Sequence, residues 1–203
     1  TSKVVVPPTS KVVVPPTSKV VVPPTSKVVV PPTNKGQVIW FETKRMTGGS
    51  RNILDLSMKS LVESGDPKGT ILDSEDSKFM LGTVYFFGVD PSNASHKRKV
   101  ITLEFDGIDY FGNEILFPEG NKANGTWRLQ IKGVSDNNIK ITDAFREKEE
   151  EHLVEKIITF TKISEDYYSL SVYSESEIVK FKSASLLLGR NGASRVAKQF
   201  GLL

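Results

Sequence analysis

The chain has 203 residues, 38% of them hydrophobic and 25% charged, and contains no cysteine. No apolar run approaches the ~20 residues that span a bilayer as a helix, which excludes a helical membrane protein, and the lack of thiols excludes disulfides, thiolate metal sites and thiol nucleophiles. Two histidines, His96 and His152, leave little material for a zinc cage or a Ser-His relay. No basic, apolar leader is visible, so a cytoplasmic location is expected. A chain that opens inside a repeat reads as a fragment or a processed form.

The net charge of +3 hides two unlike parts. Thr1, Thr9, Thr17 and Thr25 each begin a copy of Thr-Ser-Lys-Val-Val-Val-Pro-Pro, and Thr33-Asn34-Lys35 resembles a decayed fifth. The four copies hold four lysines and no acid; taking those from 27 basic residues leaves 23 against 24 acids in 33–203. The remainder is therefore neutral overall, and any nucleic-acid contact must come from a local patch. Each Pro-Pro pair removes two backbone donors and fixes φ, so no strand ladder continues through it. The reading for 1–36 is an extended, semi-rigid spacer, which at ~3.1 Å per residue reaches roughly 100 Å. Residues 37–203 are long enough for one domain with a real core.

In chain order, Val38–Phe41 is a short apolar strand. The loop Thr47-Gly48-Gly49-Ser50-Arg51-Asn52 leads to a second strand, Ile53–Leu56. Ser57 is placed to cap a short helix with Met58, Leu61 and Val62 on one face, stopped by Gly65 and Pro67. Further strands are expected at 79–88, 100–105, 113–117, 126–132, 157–162 and 167–173, each rich in β-branched or aromatic residues and bounded by turn formers. Thr102–Phe105 and Trp127–Ile131 alternate cleanly, so each buries one face. Thr142 is placed to cap a helix to Leu153, and a last short helix is expected near Ala193–Phe200, ended by Gly201. Seven or eight strands with two or three short helices predict a mainly β barrel or sandwich.

Catalytic signatures are sparse. There is no Gly-rich phosphate loop ending in Lys-Ser or Lys-Thr and no Gly-x-Ser-x-Gly elbow. His96 is followed directly by Lys97, which breaks the His-x-Lys spacing of phospholipase-D-type phosphodiesterases. Asp73, Glu75 and Asp76 form a carboxylate group after Gly69 whose ordinary reading is a polar loop. No catalytic residue, metal site or small-molecule cofactor is assigned.

Basic and amide side chains concentrate in four places: Lys44, Arg45, Thr47, Ser50, Arg51 and Asn52; Asn121, Lys122, Asn124, Arg128 and Gln130; His96 to Lys99; and Arg190, Asn191, Arg195 and Lys198. Arg, Asn and Gln are the side chains that read base edges through paired hydrogen bonds, while Lys mainly meets phosphate. Paired glycines beside Ser50-Arg51-Asn52 let backbone amides approach a phosphate closely.

The order of strand, Thr-Gly-Gly-Ser-Arg-Asn loop, Ile-Leu-Asp-Leu and short helix resembles the opening of the B3-type DNA-binding pseudobarrel of plant transcription factors. Phe105–Tyr110, the loop Asn121–Gly125 and Thr126–Gly133 resemble that family's second half. Val154–Phe160 sits where the family has a Gly-Asp-Val-Val-x-Phe strand, with Gly and Asp replaced here. Thr-Gly-Gly-Ser-Arg-Asn combined with Asn-Gly-Thr-Trp-Arg-Leu-Gln is closer still to the C-terminal recognition domain of BfiI-type restriction endonucleases, which carry a phospholipase-D-like nuclease domain upstream. The resemblance covers most of 37–182; the length of Asp73–Lys99 and the repeat depart from it.

The resemblance implies an open pseudobarrel whose two loop arms, Lys44–Asn52 and Asn121–Arg128, grip the major groove of double-stranded DNA. Lys44, Arg45, Thr47, Ser50, Arg51, Asn52, Asn121, Lys122, Asn124, Trp127 and Arg128 are its expected contacts, with Arg51, Asn52, Asn124 and Arg128 as base readers and Lys97 and Lys99 at phosphates at most. It further implies that cutting belongs to an upstream nuclease domain or chain. The alternative is a β-sandwich on a stalk that binds carbohydrate or protein, with Trp40, Tyr110 and Trp127 as stacking platforms. A small hydrolase using Asp73 to Asp76 is a further alternative.

Overall fold

The computed structural model describes residues 36–43, 52–119, 126–148 and 153–203. The chain divides into two units, Thr1–Val30 and Pro31–Leu203; the first, and with it the spacer reading of the repeat, lies outside the described residues.

The second unit is mainly β. Among the described residues it has eleven strands, β1 (Val38–Glu42), β2 (Ile53–Leu56), β3 (Lys59–Gly65), β4 (Phe79–Leu81), β5 (Arg98–Phe105), β6 (Ile108–Leu116), β7 (Trp127–Gln130), β8 (Lys156–Lys162), β9 (Tyr167–Ser174), β10 (Leu187–Arg190) and β11 (Gln199–Leu202). They form one open sheet in the order β2-β7-β6-β5-β9-β8-β1-β11-β10-β3-β4. All neighbours pair antiparallel except β5 and β9. The described residues also form two short helices, α1 (Ile141–Glu147) and α2 (Ile178–Ala184), and 3-10 helices at Thr83–Phe87 and Glu175–Glu177.

Alternation sets the two faces. Ile39 and Phe41 of β1, Ile101 and Leu103 of β5, Leu129 of β7 and Phe160 of β8 point into the main core. Trp40, between Ile39 and Phe41, points the other way and builds a second cluster with Ile157 and Phe181. There α2 covers the sheet: the Trp40 and Phe181 rings lie 6.0 Å apart, and the indole Nε1 donates to Ser185 Oγ at 2.8 Å. Gly201 permits this approach, because a Cβ there would lie 2.5 Å from Trp40 Nε1. Inside the curl, the 3-10 helix brings Phe87 to 5.3 Å from Phe160 and 5.2 Å from Tyr168, and α1 sets Phe145 edge-on to Phe105 at 4.9 Å.

Strands β2 and β3 stand near opposite ends of the sheet, yet only Ser57 and Met58 separate them. Eight antiparallel steps and one parallel step lie between them across the sheet, so they run in the same direction. They are two halves of one bent strand, and a linker that short brings the two sheet ends together. Asn191 fastens the bend: its Oδ1 accepts from Ser57 N at 3.0 Å and from Thr83 Oγ1 at 2.8 Å, and its Nδ2 donates to Asp55 O at 2.7 Å. Gly82 N donates to Met58 O at 3.0 Å and Val84 N to Ser57 O at 3.2 Å. Only glycine fits at 82, where a Cβ would lie 2.0 Å from Ser57 O.

Three helices expected from sequence are corrected. The segment after Ser57 is β3, paired with β10 and β4; an isolated short helix nucleates poorly, and two waiting strand partners win. The helix expected at 142–153 starts at Ile141, with Lys140 rather than Thr142 at the cap position, and ends at Glu147. Leu153 has φ +48°, which no helix continues through. Of the helix expected near Ala193–Phe200, residues 193–198 form a turn region and Gln199 and Phe200 already belong to β11. The strand expected at 79–88 is half right: β4 stops at Leu81, and the 3-10 helix takes the rest.

Candidate nucleic-acid interface

The candidate interface is built on the outer face of β2, β7, β6 and β5. Leu54, Leu56, Trp127, Leu129 and Ile115 point inward and are buried, which turns the alternate residues outward. Register then sets Asp55 opposite Arg128, and Arg128 opposite Leu116. Gln130 lies opposite both Ile53 and Glu114, and Arg98 and Val100 continue the rows on β5.

Charge on this face is organised around one acid. The side chain of Glu114 is only 11% exposed, and its two oxygens meet two cations: Arg98 Nη2 donates to Oε1 and Lys132 Nζ to Oε2 at 2.8 Å. Burial would raise the Glu114 carboxyl, but the hydrogen bonds from Lys132 and Arg98 outweigh it and hold the group below its ordinary value. Arg98 and Lys132 themselves stay 62% and 43% exposed. Arg128 is more enclosed: its Nε is 3.7 Å from Asp55 Oδ1, buried, and without a hydrogen-bond partner. Around Glu114 the face sets Asp55 and Glu114 against Arg98, Arg128 and Lys132, while Glu104 and Asp109, opposite each other further along β5 and β6, add acids to the same outer face.

The two polar loops have fixed feet, of which Asn52 and Thr126 adjoin the β2–β7 ladder of this face. The first follows Thr43, whose N donates to Lys156 O at 2.9 Å and whose Oγ1 accepts from Lys156 N at 3.0 Å and donates to Leu153 O. It returns at Asn52, whose Nδ2 donates to Ile131 O at 2.6 Å while Ile131 N donates to Asn52 O at 2.9 Å. The second loop leaves after β6 and returns at Thr126 into β7. Its base is packed, with Trp127 and Phe117 rings 5.6 Å apart. Because β2 and β7 run antiparallel, with Ile53 opposite Gln130 and Leu56 opposite Trp127, the loops enter their ladder from opposite ends. At ~3.3 Å per residue the paired ends are roughly 10 Å apart, and Asn52 and Thr126 roughly 17 Å apart along the strand direction.

Of the expected contact residues, Lys44, Arg45, Thr47, Ser50, Arg51, Asn121, Lys122 and Asn124 lie outside the described residues, as does His152. Asn52 and Arg128 flank the interface as just described. Trp127 is a correction: it is 4% exposed, and its ring belongs to the core rather than to a contact surface. Trp40 and Tyr110 are buried at 0% and 1%, so none of the three rings offers a stacking platform. The remaining basic clusters disperse. Lys99 turns onto Phe87 O at 2.7 Å and Glu165 O at 2.8 Å, Lys97 pairs with Glu119 at 3.1 Å, and Arg190 pairs with Glu63 at 2.6 Å.

The acidic loop is likewise engaged locally. Asp73 accepts from Gly69 N at 2.8 Å, and Asp76 accepts from Lys78 N at 3.1 Å and pairs with Lys59 at 3.3 Å. Among the described residues no group of three or more His, Cys, Asp or Glu could hold a metal ion. A hollow of about 460 Å³ is lined by Met58, Pro91, His96, Phe117 and Trp127, among others.

Sequence reasoning passed over Glu114 and gave Lys132 no role. The alternation of Arg128, Gln130 and Lys132 with Trp127, Leu129 and Ile131 was the available signal for one shared outer row, but pairing with Glu114 depends on strand order. Compared with known proteins, the chain matches no family model, and a search of curated proteins finds no match either.

Proposed function

We propose that the β-rich unit recognises double-stranded DNA in a sequence-specific manner. The loops at 44–52 and 121–126 enter the major groove, and Arg128 reads a base from the floor between them. The observation that carries this reading is the β2–β7 register, which separates the loop feet by roughly 10–17 Å along the strands. The major groove is ~12 Å wide, so two loops so placed straddle one groove. Arg and Asn at their edges supply the paired hydrogen bonds that distinguish guanine and adenine there.

The bent strand through Ser57 and Met58, which draws the sheet ends together without closing the ladder, supports the pseudobarrel reading of the fold. On that reading the unit is the target-recognition part of a restriction endonuclease, acting in the cytoplasm, with cleavage supplied by a nuclease domain or chain other than residues 1–203. The fold supports the DNA reading over the carbohydrate-binding one, because the rings a sugar would stack on are buried.

Selection from a pool of randomised duplexes tests the reading. Recovery of one short motif is expected; a pool that stays random after repeated rounds refutes it. The same protein incubated with supercoiled plasmid and magnesium is expected to leave it uncut, and nicking abolished by Asp73→Ala would contradict the division of labour.

A further inference from the structure

We propose that the outer face of β5, β6 and β7 is itself a phosphate-binding surface, in which Glu114 is a positioning residue for Arg98 and Lys132. The inference rests on the DNA-binding reading above and extends it from the loops to the sheet. Three features point to it. A carboxylate 11% exposed sits on an outward row and divides its two oxygens between a cation on β5 and one in the segment that follows β7. Both cations nevertheless remain open to solvent, at 62% and 43%. The end of the face around Glu114 also gathers three cations, Arg98, Arg128 and Lys132, against two acids, with Glu104 and Asp109 further along β5 and β6.

The arrangement is physically purposeful in a way ordinary surface pairs are not. Exposed ion pairs contribute little to stability, and a long cationic side chain loses rotamer freedom whenever it is fixed. Fixing Arg98 and Lys132 in the free protein removes that cost from the binding step, which is how preorganisation raises affinity. The phosphate backbone is the ligand this suits: a row of single negative charges, met by solvent-open cations held at set positions.

The test uses the full chain and a random-sequence duplex, with binding followed by fluorescence anisotropy between 50 and 200 mM salt. The substitutions are Arg98→Gln and Lys132→Gln, which keep hydrogen-bonding capacity beside Glu114, and melting curves accompany each. Every lost phosphate contact lowers the salt slope by ~0.9. Over a fourfold change in salt, each single variant should therefore lose roughly 3.5-fold less affinity than the unaltered protein, and the double variant roughly 12-fold less. Lys180→Gln, on α2 over another part of the sheet, should leave the slope unchanged.

Glu114→Gln separates positioning from bare charge. Deleting an acid beside DNA tightens binding if charge alone acts; loss of preorganisation weakens it, here by roughly 3-fold or more. Unchanged slopes in both cation variants, while the unaltered protein binds DNA, overturn the inference and leave the loop reading standing. Tighter binding by Glu114→Gln overturns the positioning role. If the unaltered protein binds no duplex even at 50 mM salt, the DNA reading falls and this one with it.

Discussion

Replacing Asn191 by Ala strikes the place where the two ends of the sheet are held together. The amide takes part in three contacts: Ser57 N at 3.0 Å, Thr83 Oγ1 at 2.8 Å and Asp55 O at 2.7 Å. Ser57 N has a second acceptor, Thr83 Oγ1 at 3.0 Å, so its loss is partial. The Thr83 hydroxyl and Asp55 O lose a partner outright, at about 1 kcal/mol of net hydrogen bonding each, with a desolvation penalty of similar size wherever water cannot replace the amide. The expected loss is roughly 2–3 kcal/mol, or about 5–10 °C in Tm for a unit of this size. Asn93→Ala is the control, since its amide serves only Ser95 N and Oγ in an exposed turn; a change within ~0.5 kcal/mol is expected there. Urea unfolding of both variants measures the difference. Equal, small losses would refute the account of Asn191 as the fastener of the bent strand.

Phe181→Ala should cost ~3–5 kcal/mol in urea unfolding, because its ring fills the outer cluster 6.0 Å from Trp40 and 5.1 Å from Tyr173; a loss below 1 kcal/mol would show that α2 is not needed on the sheet. Glu114 faces Arg98 and Lys132, whose hydrogen bonds hold its carboxyl below its ordinary 4.5. Its pairing therefore stabilises the fold fully above that value and less as pH falls through the lower folded one. The stability gap between the protein and Glu114→Gln should be widest near neutral pH and shrink as pH falls below 4.5 and through the lower folded value; a gap that does not vary with pH would contradict this. Arg128→Ala should cost ~1–3 kcal/mol on a selected DNA site and much less on random DNA, and equal losses on both would return Arg128 to a purely structural partner of Asp55.

Much of the sheet is legible in the sequence because burial on one face writes itself as alternation. Ile53–Leu56 and Trp127–Gln130 are strands at nearly the expected bounds, and Asp106-Gly107, both at positive φ, make the tight turn between β5 and β6. Lys59–Gly65 misleads because Met58, Leu61 and Val62 also fit a helical stripe; only β10 and β4, distant in sequence, decide between the two. Leu187–Arg190 and Gln199–Leu202 carry too little pattern to stand out, since Gly189 and Gly201 interrupt them where other groups come close. For the candidate interface, Arg128 and Gln130 could be placed on one outward row from alternation alone. Their neighbours could not: Asp55, Glu114 and Arg98 meet that row through the order β2-β7-β6-β5, which no local pattern encodes.

The central claim is that this unit reads the major groove, and dimethyl sulfate footprinting of the full chain on a selected duplex tests it most directly. Guanine N7 lies in the major groove and adenine N3 in the minor groove, and each is open to methylation only where protein leaves it uncovered. The account predicts protection of guanine N7 across a few consecutive base pairs, lost in the Arg128→Ala protein, with adenine N3 left reactive. Protection confined to adenine N3, or none at N7 on a duplex the protein demonstrably binds, would contradict it.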